Sequence, residues 1–188
     1  MNKKLNNKEH QSLALIKLII IGIVILFSGC FGIKNSSVNS GKKLYETFFV
    51  GDDGIQYFVK PLTFTDVNKN RLMLDLTFRY KDTIKDSATV NISFRNTEVI
   101  RDIDSLIMSN NYVSIEYKQF NYLFSERMRS EFNSRYSTKS LLVDIYKLFD
   151  HNSWTLTVYS KGVKSEYFTP ENTMKKIDKL RYEIFALF

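Results

Sequence analysis

Two stretches of strict alternation constrain the fold of this chain more than anything else in it. From Arg71 to Tyr80, the apolar Leu72, Leu74, Leu76, Phe78 and Tyr80 alternate with Arg71, Asp75, Thr77 and Arg79. From Ala88 to Arg95, Ala88, Val90, Ile92 and Phe94 alternate with Thr89, Asn91, Ser93 and Arg95. Successive side chains of an extended chain point to opposite faces, so each stretch reads as a strand with one buried and one wet face. The polar connection from Lys81 to Ser87 makes them an antiparallel pair. Leu74, Phe78, Ile92 and Phe94 are the expected centre of the core.

Other strands are expected on either side. Leu44 to Val50 and Ile55 to Phe64 flank Gly51-Asp52-Asp53-Gly54, a hairpin signal because Asp and Gly accept positive φ. Paired aspartates also suggest a calcium loop, but the other spaced oxygen ligands are missing. Tyr112 to Tyr117 is a strand. Phe120, Tyr122 and Phe124 lie two apart and read as another, although Met128, Phe132 and Tyr136 partly fit a helix. Trp154 to Ser160 and Val163 to Phe168 form a hairpin about Lys161-Gly162.

Three helices are expected between these strands. Thr97 caps the first, with Val99, Ile100, Ile103, Leu106 and Ile107 on one stripe; Ser137 or Thr138 caps the second, with Leu141, Leu142, Ile145, Leu148 and Phe149 inward. Thr169-Pro170-Glu171 opens the third, whose stripe is Met174, Ile177, Leu180, Ile184 and Leu187. Strand, strand and Thr-capped helix thus recur, and Asp102-Ile103-Asp104-Ser105-Leu106 echoes Asp144-Ile145-Tyr146-Lys147-Leu148. Unequal spacing between the helices makes this shared packing logic and not an internal duplication. The expected class is α+β: a largely antiparallel sheet with three helices packed mainly on one side.

The N-terminus carries a different signal. Lys3, Lys4, Lys8 and Lys17 precede Leu18 to Phe27, an apolar run unbroken by any polar side chain. Spanning a bilayer as a helix takes about 20 apolar residues, so this shorter run reads as an export signal. Leu26-Phe27-Ser28-Gly29-Cys30 resembles the lipobox of bacterial lipoproteins, with Phe27 where that pattern usually has leucine. The resemblance covers residues 1–30 alone. It implies cleavage before Cys30, a diacylglycerol on its sulfur and an acylated new amino group. Each buried methylene of such chains contributes about 0.8 kcal/mol, and stable anchoring takes more than one chain. Cys30 is the single cysteine, so no disulfide forms within the chain and the domain rests on its core. The expected organisation is a signal peptide over 1–29, a lipidated cysteine and flexible tether over 30–43, and one domain over 44–188.

Charge and composition exclude several functions. Taking the four lysines and Glu9 of the leader from 27 basic and 20 acidic residues leaves 23 and 19, so the net charge falls from +7 to +4. No Lys/Arg run suggests a nucleic-acid groove. His151, beside Asp150 and Asn152, is the single histidine after the leader, too few for zinc and without a nucleophile motif nearby. It reads as a histidine at a helix end. Asp102 and Asp104 are the nearest approach to a carboxylate pair for glycan hydrolysis, but on a helix they face different sides. No catalytic residue, metal site or cofactor is therefore assigned. Asp82-Thr83-Ile84, Asp86-Ser87-Ala88 and Asp104-Ser105-Leu106 resemble the Asp-Ser/Thr-apolar acceptor for O-glycosylation of exported bacterial proteins, which marks Thr83, Ser87 and Ser105 as modification candidates.

These readings converge on a non-catalytic envelope protein held in the membrane through lipid on Cys30, at the outer in preference to the inner membrane. Its expected partner is another envelope component or an assembly to which it belongs, and not nucleic acid. The alternatives are a lipid- or glycan-binding lipoprotein, with the aromatic sheet curled over its ligand, and more remotely a carboxylate-dependent glycan hydrolase.

Overall fold

The computed structural model describes residues 43–80 and 87–187. The expected leader and tether, with Cys30, and Thr83 lie outside the described residues. Within them the fold is α+β and dominated by one curled antiparallel sheet of ten strands. The strands are β1 (Tyr45–Phe49), β2 (Ile55–Thr65), β3 (Arg71–Tyr80), β4 (Ser87–Asn96), β5 (Ser105–Ser109), β6 (Ser114–Tyr117), β7 (Asn121–Met128), β8 (Glu131–Leu141), β9 (Thr155–Ser160) and β10 (Val163–Phe168). Two α-helices, α1 (Leu142–Phe149) and α2 (Glu171–Glu183), complete it.

The order across the sheet is β6-β5-β9-β10-β2-β3-β4-β8-β7, with β1 paired to the N-terminal half of β2. Strands β6 and β7 stand at opposite margins, yet Lys118 to Phe120 alone connect them. Four Cα steps bridge Tyr117 to Asn121, so those ends lie within about 15 Å of each other. The sheet must curl to allow this. Strand twist accumulates over its width, and in β2 the register shifts between Val59 and Leu62, at exposed Pro61, whose missing N–H a bulge tolerates.

The alternating stretches are strands β3 and β4 in direct register, Leu74 opposite Ile92 and Phe78 opposite Ala88. Leu74, Phe78, Ile92 and Phe94 are all buried, as expected. Their face is filled by the helices. Ile177, Leu180, Ile184 and Phe185 are buried, and Phe185 stacks on Phe149 at 4.0 Å between ring centroids and meets Phe78 at 5.7 Å. Trp154 packs on Phe149 at 4.8 Å and on Phe64 at 6.0 Å. The aromatic residues inside the curl are core.

Three expectations are corrected. The described residues hold two helices and not three, because the stretch after Thr97 runs irregularly to Asp104 and then forms β5. Leu106 and Met108 alternate inward there, and β5 pairs with both β6 and β9. Ile100 and Ile103 pack on the core from outside any helix, which is how their spacing imitated a helical stripe. Strand β8 continues without a break into α1, so Ser137 and Thr138 are strand residues, Leu141 occupies the cap position and Leu141 itself is exposed. Thr169 does not cap α2, which Pro170 opens; its hydroxyl accepts from Trp154 N at 2.8 Å and donates to Trp154 O at 2.7 Å. This ties the end of the last hairpin to its beginning.

Candidate functional site

Strand β7 is a margin of the sheet that departs from ordinary burial. Every residue from Asn121 to Met128 is exposed or half-exposed, and the apolar ones keep much of their surface open: Tyr122 51%, Leu123 47%, Phe124 41% and Met128 39%. Several large apolar side chains are thus gathered on one edge, the kind of patch that a folded domain leaves open sparingly. A bulge produces this arrangement. Tyr122 opposes Tyr136 and Phe124 opposes Arg135, leaving Leu123 as the extra residue. The residues two apart therefore do not share a face. Tyr122 lies on the core-facing side, its ring 5.3 Å from that of Tyr136, while Phe124 lies on the outer side. Bulges and charges both hinder addition of another strand, and β7 carries Glu126 and Arg127 as well as the bulge. What this margin offers to its surroundings is side chains more than main-chain pairing.

Beside β7 the irregular stretch from Thr97 to Asp104 is fixed at three points. Tyr136 OH donates to Ile100 O at 2.8 Å, Ser160 Oγ to Asp102 O at 2.6 Å and Asp104 N to Tyr159 O at 2.8 Å. Between this stretch and β7 lies an open cleft of about 550 Å³, lined by Val99, Arg101, Tyr122, Ser125, Arg127 and Phe132. Burial chiefly, then the negative charge of Asp102 and the nearby Tyr122, push the Tyr136 hydroxyl up to about 12. It stays protonated at neutral pH and serves as a clamp on Ile100, not as a proton carrier.

The residues singled out from sequence are scattered. Asp102 pairs with Lys161 at 3.9 Å, and Asp104 Oδ2 accepts from Gly162 N at 3.1 Å, so both carboxylates serve the β9–β10 turn. That turn needs Lys161 at φ 50° and Gly162 at φ 75°, which suits glycine. His151 stacks on Tyr112 at 4.1 Å, and its carbonyl accepts from Trp154 Nε1 at 2.6 Å. Neither carboxylate is brought to the histidine. Ser87 is exposed at the start of β4, whereas Ser105 is buried within β5, where a glycan has no room on the folded domain. Gly51-Asp52-Asp53-Gly54 forms the β1–β2 turn, with Gly51 at φ 59° and Gly54 at φ 87°.

Arg101 and Arg127 are not legible as site residues in the sequence. Isolated arginines read as ordinary surface charge, and the fold alone brings them to one cleft.

Comparisons with protein families, with curated proteins and with solved structures return no match. Among the described residues no helix is long and apolar enough to cross a membrane.

Proposed function

We propose that this is a non-catalytic, lipid-anchored protein of the bacterial cell envelope that docks onto another envelope component through the β7 margin. The anchor is Cys30, supported by the charged leader, the short apolar run and the Ser28-Gly29-Cys30 ending. Docking is supported by the open apolar set Tyr122, Leu123, Phe124 and Met128, which the domain does not use for its own core. A photo-crosslinking residue at position 123 tests the contact in cells, with one at exposed Val67 as the control. The expected result is a discrete protein adduct at 123 and none at 67. Equal labelling at both positions contradicts the reading.

A second reading, a lipoprotein that binds a small lipid or glycan, draws on the cleft beside Arg101 and Arg127. Side chains fill the inside of the curl, so the cleft is the place this reading favours.

A further inference from the structure

The cleft between the Thr97–Asp104 stretch and β7 has an unusual charge balance. Arg101 makes no hydrogen bond or ion pair among the described residues. Arg127 uses Nε alone, donating to Arg129 O at 3.3 Å, and its terminal nitrogens have no partner there. The nearby carboxylates are occupied or uninvolved. Asp102 pairs with Lys161, Glu126 accepts from Asn133 Nδ2 at 3.0 Å on the outer face, and Glu98 forms no ion pair among the described residues. Two guanidinium groups thus share a recess whose remaining walls are Val99, Phe132 and the ring of Tyr122. Ser125 also lines the recess, its hydroxyl donating to buried Ser134 at 2.8 Å.

We infer that this cleft binds an anionic ligand: a phosphoryl or carboxyl group held by Arg101 and Arg127, attached to a saccharide ring or similar part whose apolar face rests on Tyr122. Guanidinium groups match the planar, paired acceptors of carboxylate and phosphate, and such bonds are about twice as strong as neutral ones. Ligand sites combine apolar walls with a few polar groups that fix orientation, which is the composition here. The inference deepens the ligand-binding reading and does not depend on the docking contact at Leu123.

The test uses the full chain in neutral detergent with two calorimetric probes, inorganic pyrophosphate and short-chain phosphatidylglycerol. Wild type is compared with R101Q/R127Q. The expected result is that the double variant binds at least tenfold more weakly to one of the probes. Loss with pyrophosphate assigns a soluble ligand, and loss confined to phosphatidylglycerol assigns a lipid headgroup. Indistinguishable behaviour of the two proteins with both probes overturns the inference, whether or not position 123 crosslinks. Both side chains are exposed, so the variant keeps its fold, which near-UV circular dichroism verifies. Phenylglyoxal footprinting of the wild type needs no variant: the effective probe should protect Arg101 and Arg127 but not Arg79, and equal protection of all three counts against the site.

Discussion

Arg135 on β8 reaches across β4 to Asp75 on β3, its Nη2 lying 2.8 Å from one carboxylate oxygen and 3.1 Å from the other. Between them Ser93 accepts from Arg135 Nη1 at 2.7 Å, and Asn91 Nδ2 donates to Asp75 at 2.8 Å. The network ties three strands together on the outer face, directly behind the core. Asp75 is buried, so Asp75→Ala leaves a guanidinium without its counter-charge. The expected loss is about 1.5–3 kcal/mol, as for hydrogen bonds to charged groups, read as a lower urea midpoint with unchanged slope. Replacing both Asp75 and Arg135 by apolar residues should cost less than the single change.

Alkaline titration tests the packing of the tyrosines. Burial pushes Tyr117 and Tyr167 up to about 12, as it does Tyr136; the Ser140 hydrogen bond opposes the shift at Tyr117, while Asp144 there and Asp66 at Tyr167 reinforce it. In the unfolded chain these phenols ionise near 10. A group whose pKa is raised by folding contributes stability below its unfolded value and loses it as pH rises through the folded one. Stability should therefore be level up to about pH 10 and fall between 10 and 12. Absorbance at 295 nm should show these three ionising together with unfolding, and smooth ionisation of all eleven tyrosines near pH 10 in a folded protein would refute it.

Helix α2 is part of the core. Thr173 Oγ donates to Thr63 O at 2.7 Å, and Ile177, Leu180, Ile184 and Phe185 are buried against the sheet and α1. A helix of this length is marginal by itself in water, so packing must hold it. Deleting residues 170–188 should give an insoluble or molten product lacking near-UV circular dichroism. A soluble truncation with the original cooperative transition would mean that the helix is dispensable to the fold.

How far the sequence could be read follows from how local each cause is. Strands β3 and β4 were legible because alternation is written residue by residue, and the third expected helix became α2 because Ile177, Leu180 and Ile184 recur on one face. Strand β5 was hidden, since its partner β9 lies some fifty residues away and only that pairing decides between Leu106 on a strand and Leu106 on a helix. The bulge at Leu123 was equally hidden: two-residue spacing of Tyr122 and Phe124 implies a shared face until one residue is left unpaired. The cleft failed for the same reason, as Arg101 and Arg127 meet only after the sheet has curled.

Anchoring at Cys30 is the centre of the functional account, and metabolic labelling with a palmitate analogue, followed by membrane fractionation, tests it most directly. Wild type should carry the label and sediment with the membranes. Cys30→Ser should be produced at a similar level but carry no label. Label that persists in Cys30→Ser, or a wild-type protein that never acquires it, would contradict the account.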